Sequence, residues 1–238
     1  MSFSEIFSDS IKYPFSDIVK FLIVGVISLI AGLSKIITSF GIDNSLITFI
    51  VLLIGLIFSI ILSGYGVDVI RKGLERSDEI PDIDLMTNLV NGIKSLIISI
   101  VYFLIPIIII FILAMFTGIL GAGLNHIDAA IIVTIIISII LFIIFSLLDV
   151  VAIARFADTN DMGAALDIGS VFEDIKKIGV LKLIGFVVIA AVTILVAYAI
   201  LSLISVIPYA GPIITTILAG GFTVLFYNKA IGLLYSEI

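Results

Sequence analysis

Residues 46–69, LITFIVLLIGLIFSIILSGYGVDV, carry no charged side chain from Leu46 to Val67 and reach the first acid only at Asp68. At ~1.5 Å per residue, a helix of this length passes through a hydrocarbon core of about 30 Å. A surface helix of a soluble protein would show a polar stripe, and none is present, so the stretch reads as a transmembrane span. Five more stretches qualify, near 18–38, 95–116, 129–153, 180–207 and 213–235.

The segments between these spans give the orientation. Of the 12 Lys and Arg residues, only Lys35 falls on one side of the six-span pattern. The rest, among them Lys20, Arg71, Lys94, Arg155, Lys177 and Lys229, fall on the other. Cationic residues are retained in the cytoplasm during insertion, so this asymmetry predicts a multi-pass protein of the cell membrane with both termini and both long loops inside. Glu5 and Asp9 occupy the region where a cleaved signal peptide would be basic, so the first span is expected to remain as an anchor. Hydrophobic residues make up 62% of the chain and charged ones 13%, which fits lipid as the solvent. The net charge of −6 makes the inner loops mixed and slightly acidic, which excludes a nucleic-acid partner. With no cysteine, disulfide and thiolate chemistry are excluded as well.

Three segments preceding spans have helical amphipathic spacing: the N-terminus (Phe3, Ile6, Phe7, Ile11), 82–94 and 161–178. Each predicts a short helix in the headgroup region. The segments are also in register, because Asp9 and Lys12, Asn91 and Lys94, and Asp174 and Lys177 recur at offsets of 82 and 83 residues. Ser2, Asp84 and Asp167 recur at the same offsets and are residue types that cap helices. Ser2 with Glu5 and Ser170 with Glu173 have capping-box spacing. The chain therefore reads as one membrane domain, 1–238, built of three copies of an interfacial helix plus a transmembrane hairpin, at 1–81, 82–163 and 164–238.

Gly64-Tyr65, Arg71, Gly73-Leu74, Pro81 and Gly92 in the first loop region, with Ala154-Arg155-Phe156 and Ala164-Ala165-Leu166 in the second, resemble an archaeal and bacterial membrane family known as domain of unknown function 4013. The resemblance implies a membrane protein and no activity, and it carries over no functional residues.

Candidate chemistry is sparse. His126 is the single histidine and reads as an outer-loop residue, with Asp128 capping the fourth span. Gly118, Gly121 and Gly123 lack a preceding strand, so they read as a turn and not as a phosphate loop. Asp68 and Asp149 lie ~33 Å and ~30 Å along their spans, deep enough to reach the inner interface. There they serve as interfacial anchors, Asp68 pairing with Arg71, or alternatively as a cytoplasmic gate. Small residues at Gly25, Ser28 and Gly32, at Gly55, Ser59 and Ser63, at Thr134 and Ser138, and at Thr215, Ala219 and Thr223 predict close helix contacts. Pro106 predicts a kink. No catalytic, cofactor or metal set can be assembled. The polar positions assigned to the inner interface are Asp68, Arg71, Lys94, Asp149, Arg155 and Lys177. The expected role is non-enzymatic, binding membrane lipid, a protein partner or a second copy through the interfacial helices and the acidic loops 75–84 and 158–174. The alternative is a permease or channel for a small neutral or hydrophobic solute.

Overall fold

A computed structural model describes residues 1–41, 44–116 and 129–238. Among them the chain is all helical. Helix α1 (Phe3–Lys12) starts at Ser2, whose hydroxyl accepts from the Glu5 amide while the Glu5 carboxylate accepts from the Ser2 amide. Pro14 cannot donate to a preceding carbonyl, so the helix gives way to a 3-10 turn at Tyr13–Phe15. Asp17 then caps α2 (Ile18–Ala31), which leaves at 87° to the first pair of turns. A break at Gly32 leads to α3 (Leu33–Ser39), and Asn44 caps α4 (Ser45–Leu74). There follow α5 (Leu85–Phe116), α6 (Ala129–Thr159), α7 (Met162–Leu166), α8 (Ile168–Ile178), α9 (Val180–Ser202) and α10 (Ala210–Tyr235). Five of these helices are long and apolar enough to cross a membrane, and the bent pair Phe3–Phe15 with Ile18–Ala31 makes a sixth if it counts as one span.

The predicted N-caps form. Asp84 accepts from the Met86 and Thr87 amides, and Asp167 from those of Gly169 and Ser170. Two local expectations change. Ser170 lies inside α8 and donates its hydroxyl to Asp167, so the cap sits three residues before the proposed box. Segment 85–94 forms the first turns of α5 and runs into the span unbroken, through buried Pro106 as well. The reason is local: Pro14 ends α1, and Gly179, at φ 92°, ends α8, whereas Gly92 keeps a helical backbone packed against Ile60 and no proline follows it before Pro106. His126, the glycines 118–123 and Asp128 lie outside the described residues.

Small residues draw the core helices together, at Gly25 and Gly55 as their spacing predicts and at Gly64, Gly73 and Gly92 in addition. A side chain on Gly64 would fall on the Asn88 carbonyl of α5, and one on Gly92 would fall on the Ile60 carbonyl of α4. A Cβ on Gly73 would lie 2.7 Å from the Gly232 Cα where α4 crosses α10. Gly25 meets α10 at Ile217, and Gly55 meets the Ala31 carbonyl. Helices α4 and α10 form the centre, with α2 against both, α5 against α4 and α6 against α5. Helix α9 packs on α10 and stands away from α6. The amphipathic helices turn their apolar faces onto this bundle. Ile6, Val171 and Ile175 are buried, and Phe7 packs between Phe186 and Phe226 at 5.6 and 6.3 Å.

Candidate functional site

The polar chemistry of the molecule collects at one end of the bundle, where the two termini also meet. The Met1 amine and Lys182 both pair with Glu237. Three corners of this end have distinct geometry.

At the first corner, the Arg71 guanidinium donates to Asp68 at 2.8 Å, to the Ala157 carbonyl at 3.0 Å and to Asn160 at 2.7 Å. Buried Asn88 supplies a further N–H to Asp68 at 2.6 Å. The expected Asp68–Arg71 pair thus exists one helical turn apart, and it ties α4 to α5 and to the end of α6. Lys94, also placed at this interface, has its ammonium 5.9 Å from the Phe156 ring centre. A cleft of about 370 Å³ opens beside Arg71, Asn91, Lys94 and Asn160.

At the second corner, Asp174 is 2% exposed and accepts from Arg155 at 2.6 Å, Tyr235 at 2.6 Å and Lys177 at 3.1 Å. Burial pushes its carboxyl up, but the hydrogen bonds from Tyr235, Arg155 and Lys177 outweigh it and hold the group below the usual carboxylate range. Arg155 also donates to the Ala164 carbonyl, and the Tyr102 hydroxyl donates to that of Ala165, so the loop after α6 is fastened to the bundle. Arg155 and Lys177, predicted separately, are brought together by Asp174. On sequence grounds Asp174 belongs to the polar face of α8. The remaining predicted position, Asp149, stands apart and accepts from Ser99 at 2.8 Å.

At the third corner, Lys229 is 1% exposed and donates to the Ser77 carbonyl at 2.5 Å, with its ammonium 4.8 Å from the Tyr13 ring centre. It belongs to a series. Five consecutive carbonyls, those of Ser77, Asp78, Glu79, Ile80 and Pro81, each accept from a distant side chain: Lys229, Ser16, Tyr13, Lys20 and Tyr65 in turn. The backbone of the acidic loop after α4 is therefore strapped to α2, α4 and α10, while Asp78, Glu79 and Asp82 face outward. A second cleft, about 540 Å³, lies here between Asp9, Lys12, Arg76, Asp78, Phe15 and Lys229. Among the described residues, no three carboxylate or imidazole groups converge as metal ligands.

The strap and the Tyr235 contact escape sequence reasoning, because their donors lie 16 to 152 residues from their acceptors. Asn91 and Asp174 left a usable signal, since each stands three residues before a lysine and the two are 83 residues apart.

Long apolar helices crossing at glycines, with charge gathered at one end, define a polytopic helical membrane protein. Residues 47–206 match the family described as protein of unknown function (DUF4013), more than half of the chain, and the chain belongs to that family. No curated protein and no solved structure matches it.

Proposed function

We propose that this is a non-enzymatic protein of the cell membrane, its charged end and both termini cytoplasmic, that binds lipid at that end. The observation that supports this most directly is the pairing of charge with exposed apolar surface at each cleft. Lys12 and Arg76 share a cleft with exposed Phe15, beside exposed Ile11, and Arg71 and Lys94 share theirs with exposed Met86 and Val90. Such a border suits a phospholipid, whose headgroup enters the charged cleft while its chains lie along the apolar rim. Helix α1 borders the first cleft, and Ile6 and Phe7 of α1, like Val171 and Ile175 of α8, are already committed to the bundle.

Native mass spectrometry of the detergent-solubilised chain tests this reading. Phospholipid retained through delipidation, and reduced in a Lys12→Gln/Arg76→Gln variant, is the expected result. A lipid-free wild type whose melting temperature ignores added phospholipid would remove the proposal. Orientation is tested separately, in a chain with no native cysteine. Ser77→Cys should react with an impermeant maleimide in inverted vesicles and not in intact cells.

A permease is the second reading. Its support is a polar row along α5, where the Asn88 amide oxygen and the Ser95 hydroxyl are buried without a hydrogen-bond partner and Ser99 reaches Asp149. Single cysteines at Ser28, Ser59, Ser95 and Ser138 separate the two. Maleimide reaction at several of them indicates a wet path and favours the permease. Silence at all of them while Ser77→Cys labels indicates a dry bundle.

A further inference from the structure

We propose that the cleft between the ends of α4, α5 and α6 binds a phosphate group, held between Lys94 and Arg71 and hydrogen-bonded by the Asn91 amide. The argument rests on a comparison of two corners of the same molecule. Asn91 and Lys94 precede Asp174 and Lys177 by 83 residues, and Arg71 precedes Arg155 by 84. In the later corner a carboxylate sits between two cations, with Arg155 at 2.6 Å and Lys177 at 3.1 Å from Asp174. In the earlier corner the cations remain and the carboxylate is replaced by a neutral amide.

That amide is not idle filler. Asn91 is 5% exposed and lines the cleft, yet its side chain makes no hydrogen bond among the described residues. The amide opens on the cleft, where its N–H groups and its oxygen can meet an incoming group. Lys94 faces no carboxylate at ion-pair distance, its ammonium lying over the Phe156 ring. Arg71 is paired with Asp68 and uses three of its five N–H groups on Asp68, Ala157 and Asn160, which leaves two to donate. The third equivalent position is Asp9, again an acid, beside Lys12. In the Asn91 corner the Asp68 carboxylate is taken up by Arg71 and Asn88, Lys94 is left without an acid of its own, and a cleft of about 370 Å³ opens between them. A phosphate offers an acceptor to each cation and another to the amide, in the role the carboxylate fills at Asp174.

The chemistry is a phosphate mono- or diester, and it has two sources: an anionic phospholipid headgroup reached past Met86 and Val90, or a soluble phosphate. The lipid source rests on the lipid-binding reading above, whereas the soluble source does not. The test uses the full chain in nanodiscs of phosphatidylcholine with and without phosphatidylglycerol, and in detergent with inorganic phosphate. Wild type should retain phosphatidylglycerol or be stabilised by phosphate over chloride. Asn91→Asp supplies the missing carboxylate, so it should lose that affinity at least about tenfold and melt at a higher temperature than wild type. Lys94→Gln, altering a partly exposed side chain, should lose the affinity without the gain in melting temperature. Stabilisation by phosphate without lipid retention assigns the soluble source. Lipid retention that is unchanged in both variants overturns this site while leaving the lipid-binding reading standing. Absence of both lipid retention and phosphate stabilisation in wild type overturns both.

Discussion

Helices α9 and α10 form one hairpin and have opposite environments. The longest uninterrupted apolar run of the pair is in α9, yet it is mostly exposed, with Leu195 67% and Val188 56% accessible, and its packing is confined to α10, α8, the turn at 203–206 and Phe7 of α1. Helix α10 is broken by glycines and threonines and carries Lys229, yet it buries Leu225, Phe226 and Ala230 completely and touches α1, α2 and α4. Lipid tails are as apolar as leucine, so a leucine gains nothing by leaving them. A glycine does gain, because it lets two backbones approach. In this molecule apolarity therefore marks what faces lipid, and small residues mark what packs.

The largest effects should follow from breaking the small-residue contacts. Gly64→Leu drives a side chain into the backbone carbonyl of Asn88, where no rotamer can yield. A loss of more than about 4 kcal/mol is expected, read as absence of folded monomer in detergent. Leu195→Ala on α9 should leave the melting temperature within about 1 °C of wild type. If both variants melted alike, the division between packing and lipid-facing helices would collapse.

Next comes the buried charge. Arg155→Ala leaves Asp174 enclosed with a partner missing and should cost about 3–5 kcal/mol. The pH dependence follows from the direction of the Asp174 shift. Its folded pKa lies below the ordinary 3.8, so its contribution is complete above that value and is lost as the pH falls through the depressed one. Asp84, Asp167 and Glu237 are depressed too, the first two by hydrogen bonds at helix starts, so acid should destabilise wild type through several groups. Asp174→Asn should start less stable and show a shallower acid decline. A decline as steep as that of wild type would place the acid sensitivity elsewhere.

Smaller again is the strap. Lys229→Met removes a charged donor from the Ser77 carbonyl while keeping the length of the side chain. About 1.5–3 kcal/mol should be lost, together with faster hydrogen exchange at the amides of residues 77–80. Unaltered exchange there would mean that the other four donors hold the loop without it.

The legible part of the fold follows from the same physics. Spans 46–69 and 180–207 could be read because lipid demands an apolar surface of fixed length, and Ser2, Asp84 and Asp167 because a helix start demands an acceptor within three residues. Gly25 and Gly55 signalled contact but not with which helix. The separation of α1 and α8 from their spans depended on Pro14 and Gly179, whereas Gly92, in the matching place before Lys94, serves a close contact with α4 and leaves α5 continuous. The site was legible only where partners are one turn apart, as with Asp68 and Arg71. The pairing of Arg155 with Asp174 and Tyr235, or of five donors with five successive carbonyls, depends on helices converging from distant parts of the chain. No local pattern encodes it.

The smallest effect belongs to α8 and bears on what an amphipathic helix does here. Its apolar residues read alike in sequence, but Ile175 is 5% exposed within the core and Phe172 is 51% exposed on the rim. Phe172 has one specific contact, with the Lys176 ammonium 4.7 Å from its ring centre. An exposed cation–π pair contributes about 0.5–1 kcal/mol, and Phe172→Glu replaces it with a like-placed ion pair. The melting temperature in detergent should therefore shift by no more than about 2 °C. Ile175→Glu buries a carboxylate and should unfold the inner end of α8. In lipid the comparison changes sign of interest: if the rim of α8 borders the headgroups, Phe172→Glu should raise protease cleavage after Lys176 in vesicles while leaving it unchanged in detergent. Equal cleavage in both media would place Phe172 in water, and α8 would then be a structural lid on the bundle with no seat in the membrane.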